Sequence, residues 1–137
     1  MADLSVTAGS VVPTSTTIVR QGIAGAAITA GQTVYLDSST STYKLADSNG
    51  ATAAVAATKG VALNGASSGQ PIDVATGGDI NPGATVAVGA AYAQSTTPGG
   101  IAAIADVTAG QYMTVIGVGT TTSNLKISLI VSGVVKA

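Results

Sequence analysis

Ser68-Gly69-Gln70-Pro71-Ile72-Asp73-Val74 decides how this chain is read, because the same phrase returns elsewhere in it. It stands earlier as Ala30-Gly31-Gln32-Thr33-Val34-Tyr35-Leu36 and later as Ala109-Gly110-Gln111-Tyr112-Met113-Thr114-Val115. A degenerate copy is Pro82-Gly83-Ala84-Thr85-Val86-Ala87-Val88. Each copy runs from a small residue through Gly into alternating apolar positions. Gly supplies the positive φ of a tight turn or bulge. Apolar residues two apart then share one face of a strand. On this reading Gly31, Gly69, Gly83 and Gly110 open strands in which Val34 and Leu36, Ile72 and Val74, and Val86 and Val88 pair on a face. The copies are unevenly spaced, which argues against a solenoid.

Outward from these phrases, further strands are expected at Lys44–Asp47, Val61–Leu63, Met113–Val118 and Leu125–Val131. Turn signals stand at Asn49-Gly50, Asn64-Gly65, Gly77-Gly78, Pro98-Gly99-Gly100 and 120–124. Short strands broken this often by Gly and Pro indicate a barrel or sandwich. Ala51–Thr58 and Ile101–Asp106 are candidate short helices, marginal without packing. Residues 2–20 differ in texture: Ser and Thr interleave with Val6, Val11, Val12, Ile18 and Val19, and Pro13 interrupts them. The expected organisation is an extended N-terminal arm over 1–20 and a compact β domain over 21–137.

Composition supports β structure. The chain has 137 residues, enough for one domain with a real core. Eighteen glycines and many Val, Thr and Ala dominate, while Glu is absent and Lys and Arg total five. Val and Thr suit a pleated surface, and the polar helix formers are missing. Low charge with high apolar content is the opposite of the disorder signature. It also leaves a surface with little self-repulsion, suited to packing against something.

The same composition narrows function. The chain holds no Cys and no His, which removes disulfides and thiolate or imidazole metal ligands. A net charge of -1 gives no basic surface for nucleic acid. The N-terminus lacks a basic and apolar leader pattern. The charge-free window 80–105 is broken by Pro and Gly and does not read as a membrane span.

Motifs that imitate chemistry are incomplete. Gly65-Ala66-Ser67-Ser68-Gly69 matches the G-x-S-x-G elbow, but a serine nucleophile needs a base and this chain has no His. Gly60 and Gly65 have phosphate-loop spacing, but Ala66 stands where Lys is required. Gly117 and Gly119 begin a dinucleotide-type pattern that Thr122 ends. The six Asp, at 3, 37, 47, 73, 79 and 106, are dispersed, and Asp47-Ser48-Asn49 beside Asp37 reads as a solvated loop rather than a calcium site. Tyr35, Tyr43, Tyr92 and Tyr112 read as half-buried sheet positions rather than stacking platforms. The expectation is no catalytic residue, no metal and no cofactor.

Three ordered segments carry a family resemblance. Gly22-Ile23-Ala24-Gly25-Ala26-Ala27-Ile28-Thr29-Ala30-Gly31-Gln32-Thr33-Val34-Tyr35-Leu36-Asp37 resembles the opening of tailed-bacteriophage capsid decoration (cement) proteins. Lys59-Gly60-Val61-Ala62-Leu63-Asn64-Gly65-Ala66-Ser67-Ser68-Gly69-Gln70-Pro71-Ile72-Asp73-Val74 is similar to their middle, and Val107-Thr108-Ala109-Gly110-Gln111-Tyr112-Met113-Thr114-Val115-Ile116-Gly117 to their late strand pair. Specificity lies in the ordered set, which covers about residues 18–132.

The resemblance implies an all-β, small β-barrel or β-tulip-like domain on the outer capsid surface of the virion. It implies a homotrimer that clamps neighbouring major capsid protein subunits, with an N-terminal arm reaching across the shell. The expected mechanism is strand addition by the arm, with Val6, Val11, Val12, Ile18 and Val19 supplying apolar area. No nucleic acid or membrane is an expected partner. Competing readings are a glycan-binding head-fibre or adhesin module, with the tyrosines clustered and exposed, and a tail-tube-like subunit.

Overall fold

The computed structural model describes residues 2–137. Within them ten strands follow in order: β1 (Val11–Pro13), β2 (Ile18–Ile23), β3 (Thr33–Asp37), β4 (Thr42–Leu45), β5 (Gly60–Ala62), β6 (Pro71–Pro82), β7 (Ala91–Gln94), β8 (Ile101–Ala103), β9 (Tyr112–Gly119) and β10 (Leu125–Val135). All their ladders are antiparallel, in the order β4-β3-β5-β6-β10-β9-β7-β8, with β1 and β2 also paired to β6. The fold is all-β and barrel-like.

The hub is β6. Its first part pairs with β2 and β5, from Ile23↔Pro71 to Ile18↔Gly77. Its last part pairs with β1 and β10, from Ile127↔Gly78 to Val11↔Pro82. The change of partners falls at Gly77-Gly78. Gly78 has φ +74, and a Cβ there would collide with the Thr16 carbonyl. Only Gly allows both that conformation and that approach. Proline marks both ends of β6, where no further ladder donor is needed.

Two curled lobes meet at this strand. In one, β2-β6-β5-β3-β4 curls until Ala24 bridges Tyr43, with Gly25 N–H donating to the Tyr43 carbonyl at 2.7 Å. Its core is Ala24, Ile28, Val34, Tyr43, Ala62, Ala66, Ile72 and Val74. In the other, β6-β10-β9-β7-β8 encloses Ile80, Val86, Tyr92, Ile101, Ile116, Leu125 and Ile127. The link from β4 to β5 ties the lobes together. Thr114 Oγ1 donates to the Ala56 carbonyl at 2.6 Å, and buried Gln94 takes the Thr58 hydroxyl at 3.1 Å while donating to the Ala46 carbonyl at 2.8 Å.

The repeated phrase forms one turn, used three times. Gly31, Gly69 and Gly110 have φ of 89°, 88° and 88°, values that the third position of a type II turn requires. The Gln after each Gly folds back on its own turn. Gln32 Oε1 accepts from Thr29 N–H at 2.9 Å, Gln70 Oε1 from Ser67 N–H at 2.8 Å, and Gln111 Oε1 from Thr108 N–H at 3.0 Å. The degenerate copy differs. Gly83 has φ 75°, but no strand follows it. Val86 N–H goes instead to the Thr122 carbonyl and Ala87 N–H to the Tyr92 hydroxyl, so Val86 is buried and Val88 exposed.

Three other expectations need correction. Ala51–Thr58 forms no helix but consecutive tight turns, with Val55, Ala56 and Ala57 N–H each reaching back three residues. Ile101–Asp106 splits into β8 and a single 3₁₀ turn, Ile104–Asp106, because Ile101–Ala103 is claimed by pairing with β7. Leu36 is exposed although it shares a face with buried Val34, since it lies past the end of the β3–β5 ladder.

Candidate interaction surface

The section expected to be an arm lies along the body of its own chain. Asp3 bridges Ala102 of β8, Leu4 N–H donates to the Ile101 carbonyl at 2.7 Å, and Thr7 N–H to the Gly83 carbonyl at 2.8 Å. This segment thereby spans from β8 back to β6, where β1 pairs. β1 and β2 then run along β6 as two parts of one edge, interrupted by a turn at 14–17. The hydroxyls of Thr14 and Thr17 both donate to the Asp79 carbonyl, at 2.8 and 2.5 Å. The threonines of this turn therefore replace ladder bonds at the β6 corner.

Its five apolar residues divide into two sets. Val6 and Val11 are half-buried against the body. A Cβ on Gly31 would collide with Val6, and one on Gly83 would lie 3.0 Å from Val11 Cγ2. These two glycines thus serve close approach as well as turn geometry, whereas Gly69 and Gly110 have open space around them and serve geometry alone. Val12, Ile18 and Val19 point away and are exposed, joined by Ile23 on β2 and Leu36 on β3.

A second exposed apolar group lies at the far end of β10: Ile130, Val131, Val134 and Val135. Sequence alternation accounted for Leu125, Ile127, Leu129 and Val131 as one face, and missed this group. The available signal was the charge-free run from Ile127 to Val135, in which apolar residues occupy both faces. A hollow of about 340 Å³ is lined by Arg20, Leu36, Tyr43, Lys59, Thr76 and Leu129. Two of its lining residues are cations, Arg20 on β2 and Lys59 just before β5.

The residues considered for chemistry do not converge. Among the described residues no three His, Cys, Asp or Glu side chains cluster as a metal site. Ser67 sits in the type II turn, its N–H held by Gln70. Tyr43 and Tyr92 are buried in different lobes, leaving half-buried Tyr35 and Tyr112 on β3 and β9. Asp37 and Lys44 pair at 2.7 Å across the β3–β4 hairpin. The hydrogen bond from Lys44, then those from Ser39, lower the Asp37 carboxyl from 3.8 to about 2, and the same pairing raises Lys44. Both groups are near the surface, so this is a local hairpin clasp. No described helix is long and apolar enough to cross a membrane.

Compared with known families and curated proteins, the sequence matches no family model and no curated protein.

Proposed function

We propose that this chain is a non-catalytic capsid decoration protein. In this reading it sits as a homotrimer on the outer surface of an icosahedral phage head and bridges neighbouring major capsid protein subunits. The observation that carries the reading is the outward set Val12, Ile18, Val19 and Ile23 on the β1–β2 edge, exposed apolar residues with Arg20 among them on a body poor in charge. Its support beyond that is the ordered resemblance of residues 18–132 to cement proteins.

The mechanism follows from the position of that edge. One side of β1 and β2 is bonded to β6, so an added capsid strand would use the other side. Val6 and Val11 face the body, which leaves Val12, Ile18 and Val19 for the shell. Covering each of these half-exposed side chains is worth ~1–2 kcal/mol before ordering costs. Contacts of that size hold a shell because several on one oligomer act together through effective concentration.

Removing residues 2–20 is a poor test, since it takes away β1 and half of β2 and uncovers β6. A triple substitution, Val12→Ser, Ile18→Ser and Val19→Ser, keeps the backbone pairing. The measurement is co-sedimentation with mature heads stripped of their decoration. The expected result is wild-type binding and a loss of at least tenfold in the variant. Wild-type protein that never sediments with heads would overturn the reading.

A further inference from the structure

We infer that the hollow holding Arg20 and Lys59 binds a small phosphate-bearing molecule, with the hydroxyls of Tyr43 and Thr76 as further donors. The site uses neither the outward apolar edge nor the capsid reading built on it.

The hollow is where the core of the first lobe runs out. On β6, Thr76 follows buried Ile72 and Val74 on one face, and on β3 Leu36 follows buried Val34. Arg20 stands opposite Val74 in the β2–β6 ladder, and Tyr43 stands opposite Leu36 in the β3–β4 ladder. Residues paired in this way share a face, so both turn to the same side as the core. Leu129 adds a wall from β10. The rows that fill the lobe with Val and Ile thus end in Arg and Thr.

Tyr43 supplies the decisive group. Its ring lies against Gly22, where a Cβ would collide with Cε2. The residue is only 7 % exposed, yet its hydroxyl makes no hydrogen bond with any described residue. The unpartnered oxygens of Thr33, Ser48 and Asp79 are sealed from solvent. The Tyr43 hydroxyl is not sealed, and the hollow is the space that this side chain lines. A phenol this deeply set normally has a partner, so this one is a donor left for an occupant.

The charges select a phosphate. Asp37–Lys44 is the one ion pair among the described residues, and Lys44 stands opposite Tyr35, on the other face of the hairpin from Tyr43. No Asp lines the hollow, so Arg20 and Lys59 face it uncompensated. A concave site with two such cations concentrates anions. A phosphate monoester brings a charge of about −1.5 to −2 at neutral pH, where a carboxylate brings one. The Arg fork fits two of its oxygens, and Lys serves as a point charge for the third. The Thr76 hydroxyl now reaches the Ile18 carbonyl at 3.4 Å, a long bond that is readily exchanged. Leu36 and Leu129 are left for a small apolar substituent, in a volume at the lower end of ligand clefts.

The test is isothermal titration calorimetry on the full chain at low salt and about pH 7.5, where the phosphate is close to dianionic. The probes are phenyl phosphate, inorganic phosphate and benzoate. Phenyl phosphate is expected to bind with a Kd below ~1 mM, and benzoate at least ~10-fold more weakly. Inorganic phosphate that binds as tightly as phenyl phosphate assigns the site to the free ion; weaker binding assigns it to an organic phosphate. Arg20→Gln with Lys59→Gln, both exposed positions, should cost at least ~10-fold with an unchanged circular dichroism spectrum. Tyr43→Phe keeps the ring and should cost ~3-fold or more, while Lys126→Gln on β10 should change nothing. No saturable heat with either phosphate up to ~10 mM overturns the inference. So does an unchanged affinity in the double variant, or benzoate binding as tightly as phenyl phosphate.

Discussion

Leu125–Ile127 and Ile130–Val135 are successive parts of one strand, built from the same kinds of residue, with opposite fates. Leu125 is fully buried, whereas Val134 is 62 % exposed. The first part lies between β6 and β9; the second has β9 alone. The apolar side chains of the two parts are of the same kind. The difference is made elsewhere, at Gly77-Gly78, where β6 bends out of one lobe into the other and abandons β10. A glycine pair in one strand thereby creates an exposed apolar surface on another.

The comparison is broken most directly at its cause. Gly78→Val places a branched side chain at φ +74, against the Thr16 carbonyl. The expected loss is more than ~4 kcal/mol, read as loss of the cooperative urea transition. A stable Gly78→Val protein would show that the corner does not depend on that approach. Next in size are paired truncations within β10. Leu125→Ala removes a packed core side chain and should cost ~2–5 kcal/mol. Ile130→Ala should change stability by under ~0.5 kcal/mol. Similar losses at both positions would erase the contrast.

The smallest effect comes from the hairpin clasp. Asp37 has a folded value of about 2 against an ordinary 3.8. Its contribution is therefore present above the ordinary value and fades as pH falls toward the folded one. Thermal midpoints from about pH 5 down to about pH 2 should fall slightly less steeply for Asp37→Asn than for wild type. An identical slope would show that the clasp contributes nothing to folding.

Much of the fold was legible because its signals are local. The Gly-Gln phrases mark turns at Gly31, Gly69 and Gly110, since a positive φ belongs to one residue and its neighbours. Strands opened by alternation fell within a few residues of β3, β5, β6, β9 and β10. The role of Gln was not read, although its recurrence after each Gly was visible; a side chain closing on the N–H three residues back is local too. Alternation failed where a ladder ended. Leu36 is exposed because the β3–β5 ladder stops before it, and Val88 because its strand never forms. Ala51–Thr58 has helical composition, but its link must reach Gln94 and Thr114 in the other lobe, and those contacts hold it in turns.

The first twenty residues show the same limit in the surface itself. Their texture marked an extended segment with apolar side chains in need of a partner. Only the fold showed that the partner for Val6 and Val11 is the body, at Gly31 and Gly83, while Val12, Ile18 and Val19 stay outside. By itself the sequence determined the class of structure, the turn positions and the poverty of reactive groups, because these depend on residue type and near neighbours. The tertiary structure alone decided which apolar residues are core and which are surface, because burial depends on whether a strand distant in sequence arrives to cover them.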